Sequence, residues 1–455
     1  MAGLSRREFL QRSKRTSLGL AAGVTILSNA ASVRAAPAAE RIVLAAVGVR
    51  GRGANLAQGF LERGDCRYAY VCDVDSSLFA PRAKAIAEQQ GGQEPKCVQD
   101  FRRALDDASV DAVIVATPDH WHAPATVWAC QANKDVYVEK PATHSCWEGR
   151  KMIEAARKYR RVVQIGTQNR SAPYNIEAKK FIDDGKLGTI HMCRIYNQKF
   201  WGNHPVVPDG DAPAGLDWDM WNGPAPEHRY NSAYHRYWNH LWRYSGGDMA
   251  NDASHQIDLA RWLIGATCPK TAYSTGGRFA SQGAAETPDT QVAVYDLDKM
   301  VVTFELTLYT PYMLKTDGEL RDSDMFPYWP QNATRIEIFG TEGLMCVGRH
   351  GGGWQVYVRP KDRLPVVAAQ RYGRFPDPPH KENFIQCIRT RQRPNADVEE
   401  GHLSALWIHY ANISYRTGGQ KLRIDPTTEQ IIDNPEAMKL FQREYRKPWV
   451  IEDPV

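Results

Sequence analysis

Two side chains far apart in the chain carry the chemistry that stands out. Lys140, within Glu139-Lys140-Pro141, follows an apolar run at 135–138. His255 lies in a helical stretch at 248–264 that opens after Gly246-Gly247 and stops at Gly265. An ammonium group beside a reacting oxygen stabilises developing negative charge. A neutral imidazole takes or returns a proton near neutral pH. Asn251 stands four residues before His255 and Asp258 three after it, so helical spacing makes them neighbours. In one helix they share a face turned away from Met249, Ala253, Ile257, Ala260 and Ile264. Such a face either lines a cleft or is a solvated surface with one satisfied histidine.

A second constellation precedes these. Gly48-Val49-Arg50-Gly51-Arg52-Gly53 follows a β-like run at 41–47 and opens a helix. Glycines in that setting permit a tight turn and let backbone N–H groups approach a pyrophosphate. Arg50 stands where the usual G-x-G-x-x-G pattern has its second glycine. Asp73 lies twenty residues past Gly53, at the end of a run at 68–72. A carboxylate there accepts from a ribose 2′-OH and repels a 2′-phosphate, so NAD is favoured over NADP. In an open α/β sheet, ligands bind beyond the carboxyl ends of the strands. Lys140 is therefore expected to face the same crevice, and Pro141 fixes its exit from the strand.

The elements that must position these groups alternate. Apolar runs at 41–47, 68–72, 112–116, 135–138 and 162–165 are separated by helical stretches such as 123–132 and 146–159. That is the pattern of a parallel, doubly wound sheet. After Gly166 the character changes. Runs at 189–197, 291–295, 300–306, 335–339 and 354–358 read as antiparallel strands, and helices are expected at 380–389 and 399–415. The expected organisation is a nucleotide-binding domain at 36–165, an α/β substrate and oligomerisation domain at 166–420, and an extended Pro-rich, polar tail at 421–455.

Residues 196–244 are dense in aromatic and histidine side chains, among them Trp201, Trp238 and His240. Aromatic faces stack on the C–H faces of sugars, and His and Asp bind hydroxyls. Trp201, Trp238, His240 and Asp258 are accordingly candidate sugar contacts, with packing of an irregular insertion as the alternative. The histidines show no compact metal-ligand spacing, so no metal site is expected.

Residues 1–35 carry Arg6-Arg7, Phe9, an apolar stretch at 18–27 and a small-x-small site at Val33-Arg34-Ala35. This is the pattern of a twin-arginine signal, and it predicts translocase-mediated export to the periplasm or beyond. That route moves folded proteins, so a cofactor tightly bound in the cytoplasm would travel along. The segment holds six basic residues and one acidic residue, and the whole chain is +5, so the remainder is near neutral. The basicity therefore gives no support for nucleic-acid binding. Nine scattered cysteines form no C-x-x-C pair, which does not read as a disulfide framework.

Together these motifs resemble the Gfo/Idh/MocA family of glucose-fructose oxidoreductase, inositol dehydrogenase and their relatives. Gly48 to Gly53, Asp73, Ala116-Thr117-Pro118-Asp119-His120-Trp121-His122, Glu139-Lys140-Pro141 and the His255 helix occur in the family's order. The resemblance spans residues 41–420. It implies a Rossmann domain followed by an α/β domain whose large, mostly antiparallel sheet has an open face. That face would carry a homo-oligomer contact, in a dimer or tetramer. It also implies that Lys140 contacts the substrate hydroxyl and nicotinamide, and that His255 exchanges the proton. Gly48, Arg50, Gly51, Arg52, Gly53, Asp73, Thr117, Pro118, Trp121, His122, Glu139, Lys140, Gln168 and Asn169 would surround the cofactor. Family dehydrogenases often have an aspartate four residues before the histidine. Here that place holds Asn251, with Asp252 beside it as a poorer orienter. The expected activity is hydride transfer between a bound nicotinamide cofactor and a sugar, polyol or glycoside hydroxyl carbon. A redox-assisted glycosidase and a non-catalytic sugar sensor are the alternatives.

Overall fold

The computed structural model describes residues 41–361 and 363–455. The expected export signal lies outside the described residues. No helix among them is long and apolar enough to cross a membrane.

The first half is a six-stranded parallel sheet. β1 (Ile42–Val47), β2 (Cys66–Cys72), β3 (Lys96–Val98), β4 (Ala112–Val115), β5 (Asp135–Val138) and β6 (Val163–Ile165) lie in the order β3-β2-β1-β4-β5-β6. This is the doubly wound dinucleotide-binding order. β1 and β4 read IVLAAV and AVIV because both faces are covered. On one side lie α1 (Gly51–Leu61) and α2 (Phe79–Gln89). On the other lie α3 (His122–Gln131) and α4 (Cys146–Lys158).

The second half is a ten-stranded sheet built on β7 (Ile190–Gln198), with β8 (Thr271–Gly277), β9 (Thr290–Asp296), β10 (Val301–Thr307), β11 (Arg335–Gly340), β12 (Leu344–Gly348), β13 (Trp354–Val358), β14 (Val366–Arg371), β15 (Leu422–Ile424) and β16 (Ile431–Ile432). Only the β7–β10 pairing is parallel. The strands alternate: Val302, Phe304 and Leu306 of β10 are buried, whereas Val301, Thr303 and Glu305 face outward. The buried face packs against α5 (Pro173–Asp183) and three later elements: α6 (Gly247–Asn251), α7 (Ser254–Leu263) and α8 (Val398–Arg416). The opposite face is uncovered in the single chain and carries Arg194–Glu305 and Arg194–Glu337 ion pairs.

Three expectations need correction. The stretch at 248–264 is two helices, α6 and α7, not one. The helix Asp377–Thr390 returns to the nucleotide domain and packs Phe384 on Phe60 of α1, with ring centroids 6.0 Å apart. Residues 421–455 are not a free extended tail. β15 and β16 extend the large sheet, and the last residues strap onto the nucleotide domain. There Arg443 and Tyr445 donate to the buried Glu148 at 2.7 and 2.6 Å. Trp449 packs edge-on against Trp121 at 5.4 Å.

Candidate active site

A cavity of about 300 Å³ opens beyond the carboxyl ends of β1, β2, β4 and β5. Its floor is the glycine turn. Gly48 has φ +80°, and a Cβ on Gly53 would run into the Gly48 carbonyl oxygen. Gly51 has open space around its missing side chain, as a close ligand approach requires. Asp73 lines the cavity and holds the turn, accepting the Val49 N–H at 2.9 Å and the Asp75 N–H at 3.0 Å. Burial raises its pKa, against those hydrogen bonds.

The arginines of the turn have fixed partners. Arg50 pairs with Asp75. Arg52 bridges Glu139 at 2.8 Å and Asp377 at 2.7 Å. Burial disfavours the Arg52 charge, but those carboxylates outweigh it and raise its pKa. His122 ties two loops together: Nε2 lies 2.9 Å from the Thr117 carbonyl and Nδ1 lies 2.7 Å from the Pro141 carbonyl. Thr117, Pro118, Trp121, His122 and Glu139 all line the cavity. Gln168 and Asn169 do not; Gln168 is buried against Tyr137, and the Asn169 side-chain oxygen accepts the His350 N–H at 3.2 Å.

Lys140 reaches across the domain boundary. Its Nζ donates to the Asn251 carbonyl at 2.7 Å and to Asn251 Oδ1 at 3.1 Å. The Ser254 hydroxyl donates to the same carbonyl at 2.9 Å. In an unbroken helix that carbonyl would accept from the His255 N–H. Lys140 and Ser254 occupy that carbonyl where α6 gives way to α7, and the His255 N–H turns to the Asp252 carbonyl at 3.4 Å. The Lys140–Pro141 peptide is cis. Burial lowers the Lys140 pKa, against the attraction of Glu139, Asp252 and Asp119.

The break also separates groups that a single helix would juxtapose. Asn251 Nδ2 donates to Asp248 Oδ1 at 3.2 Å, not to His255. Asp252 is held by Lys199 at 2.7 Å, Arg349 at 2.5 Å and Lys315. Burial opposes the Asp252 charge, yet those three cations hold its pKa well below the usual range. His255 is buried with its ring 4.3 Å from that of His350, and its Nδ1 has no hydrogen-bond partner among the described residues. Burial, then His350, Arg349 and Lys140, keep its pKa well below 6.5, so the ring is neutral. Asn251 and Lys140 line the cavity, and His255 does not.

The aromatic segment divides. Met220, Trp221, His235 and Trp238 line the cavity. The chain there is pinned over β2: the Ser76 N–H donates to Gly215 O at 2.9 Å, and the Asp217 N–H to Val74 O at 2.9 Å. Trp121 Nε1 donates to the Met220 carbonyl at 3.0 Å. The segment thus roofs the nucleotide side of the crevice. Trp201 and His240 sit apart with His204, and Lys199 Nζ lies 4.8 Å above the Trp201 ring. Asp258 is fully buried, pairing with Arg170 at 2.9 Å and accepting from Ser404 at 2.7 Å. It is a structural carboxylate outside the cavity, not a sugar contact.

Comparison with known proteins accounts for this plan. A family model described as an oxidoreductase family with an NAD-binding Rossmann fold matches residues 30–167. Two C-terminal domain models of the same family match residues 223–346 and 348–451. The chain belongs to the GFO/IDH/MocA family. It is 27% identical over 267 residues to scyllo-inositol 2-dehydrogenase (NAD(+)) of Bacillus subtilis (strain 168), covering 59% of this chain and 63% of that protein. It is 28% identical over 185 residues to levoglucosan dehydrogenase of Pseudarthrobacter phenanthrenivorans, covering 41% of this chain and 40% of that one. These matches span less than two thirds of the relatives' lengths. A solved levoglucosan dehydrogenase in complex with NADH and levoglucosan superposes with a TM-score of 0.62 at 18% identity, over 84% of this chain and 99% of that one. The WlbA dehydrogenase of Bordetella pertussis, in complex with NADH and UDP-GlcNAcA, gives 0.60 at 22%, over 85% and 98%. The solved structures establish the GFO/IDH/MocA fold for this chain.

Several residues at this site escaped the sequence reading. Lys199 and Asp248 form an ion pair at 2.8 Å beside Asn251. Lys199 follows the end of β7, and nothing in its local spacing marks it. Arg349-His350 precedes the glycine run 351–353, and that cluster was the available signal. Met220 reaches the cavity beside Trp221 of the aromatic stretch, from a segment whose irregular pattern gives no direction.

Proposed function

We propose that the chain is an exported, NAD-dependent oxidoreductase acting on a hydroxyl carbon of a sugar, polyol or glycoside. The observation that carries this reading is the Lys140 ammonium, fixed by Asn251 in a cavity built on the glycine turn, with neutral His255 on the helix that follows Asn251. The cavity fits the cofactor through the open backbone at Gly51 and the Asp73 carboxylate, which favours NAD over NADP. NAD, when bound, supplies a hydride acceptor. Lys140 uses two donors on Asn251, so one N–H remains to orient the substrate oxygen and stabilise its developing negative charge. In this reading His255 is the proton acceptor; its Nδ1 is buried with no hydrogen-bond partner among the described residues.

The roof at residues 215–221 and the docked C-terminal segment support a retained cofactor. Retention also supports a second reading, a glycosidase that oxidises, eliminates and re-reduces without net turnover of NAD. The pattern at residues 5–35 supports twin-arginine export, and the uncovered sheet face supports assembly with further copies of the chain. Absorbance at 340 nm with sugar panels and nitrophenyl glycosides separates the readings. Accumulating reduced cofactor supports the dehydrogenase; nitrophenol release without it supports the glycosidase. Silence from both, with NAD bound, removes the enzymatic reading.

A further inference from the structure

Beyond Lys140 and Asn251, the second domain gathers more positive than negative charge. Lys199, Lys315 and Arg349 converge on Asp252, and Lys199 also pairs with Asp248. Arg321 stands beside them. It donates to the Thr316 carbonyl at 2.9 Å and makes no ion pair among the described residues; the neighbouring Asp317, Glu319, Asp322 and Asp324 are exposed. On the nucleotide side of Lys140, Glu139 is already paired with Arg52, and Asp119 accepts from Ser245. Among the described residues His240, His255 and His350 also face the cluster, and all three are uncharged near neutral pH because burial, with these cations adding to it, depresses them.

Two details mark the cluster as more than a structural ion pair. The Arg349 side chain is 8% exposed, and its Nε and Nη1 have no hydrogen-bond acceptor among the described residues; the short approach of Nη1 to Asp252 lacks hydrogen-bond geometry. Lys315 remains 36% exposed at its side chain, so the cluster opens to solvent at that end. Buried cations with incomplete counter-charge are costly. Burial lowers the Lys315 and Arg321 pKa values, and neighbouring cations add to the effect. An anion arriving at the open Lys315 end would supply counter-charge that the cluster lacks.

We propose that the Lys315–Arg321–Arg349 cluster binds an anionic group on the substrate, so that this enzyme takes a sugar acid or a phosphorylated sugar in preference to a neutral sugar. The inference rests on the reading of the Lys140 crevice as the site of sugar oxidation. Carboxylate and phosphate share the required chemistry, and separate probes distinguish them.

The test is calorimetric titration of the full NAD-loaded protein with D-glucose, D-glucuronate and D-glucose 6-phosphate, and with D-galactose and D-galacturonate, at low salt. Lys315→Gln and Arg321→Gln are titrated alongside; both side chains are partly exposed and neither touches the nucleotide cavity. At least one anionic sugar should bind about tenfold or more tightly than its neutral counterpart, with the advantage reduced about tenfold in one or both variants and the neutral-sugar affinity unchanged. The better of glucuronate and glucose 6-phosphate identifies the anion. Equal affinity for neutral and anionic sugars, no binding of any anionic sugar, or a preference that survives in both variants would overturn the proposal. Anion preference without reduced cofactor or released aglycone would uphold this inference while removing the catalytic reading. Oxidation of neutral sugars without preference would do the reverse.

Discussion

Lys140 and Asn251, 111 residues apart, are joined by two hydrogen bonds from one ammonium group: 2.7 Å to the backbone carbonyl and 3.1 Å to the side-chain oxygen. The same contact sits at the break before the helix that carries His255 and ties the strand end of one domain to the second domain. Removing only the side-chain half should loosen the lysine while leaving the carbonyl contact. Asn251→Ala is expected to lower kcat about tenfold with NAD content unchanged. A normal kcat would show that the carbonyl alone positions the lysine.

Asp73 is expected to set cofactor choice. Asp73→Asn keeps a side-chain acceptor for the turn but removes the charge that disfavours a 2′-phosphate. The ratio of NAD to NADP affinities should fall about tenfold. Competitive titration of the apoprotein with both nucleotides measures it, and an unchanged ratio would assign the preference elsewhere.

Acid should destabilise the fold through its buried imidazoles. Burial lowers His120 and His409 to about 3, and His235, His240 and His380 to about 4. Below pH 6.5 the unfolded chain binds protons that the native chain refuses, so stability rises with pH and falls as pH drops. The loss should accumulate between pH 6.5 and about 3–4, then slow for these groups once the native rings protonate. Asp377, held near 2 by Arg52 and Lys381 against burial, adds its own loss at still lower pH. Chemical denaturation at stepped pH reads the slope; a flat profile from pH 6.5 to 4 would contradict it.

The C-terminal strap should matter to stability. Trp449 is 5% exposed and packs on the cavity-lining Trp121. Trp449→Ala is expected to cost about 3–5 kcal/mol and to release NAD more readily in gel filtration. A change below about 1 kcal/mol would mean that the strap contributes little.

The nucleotide half of the fold was legible because its strands are short apolar runs covered on both faces, as in Ile42–Val47 and Ala112–Val115. The Gly48–Gly53 turn and Asp73 follow from strand ends. The second sheet was legible only where alternation was strong, as in Val301–Thr307. Thr271–Gly277 is too polar, and Val366–Arg371 is an exposed edge strand. The helix break could not be read, since periodicity at 248–264 is continuous and Lys140, which takes the Asn251 carbonyl there, lies 111 residues away in sequence. The strap was illegible because Trp449, Ile451 and Val455 are single apolar anchors among prolines and charges, with no period to reveal their common destination.

The most direct test of the central claim is single-turnover reduction of the bound cofactor in Lys140→Met, with NAD content measured on the same sample. Bound NAD equal to wild type, with the rate of the 340 nm rise reduced about a hundredfold or more, is the predicted result. Hydride transfer at the wild-type rate would contradict the account.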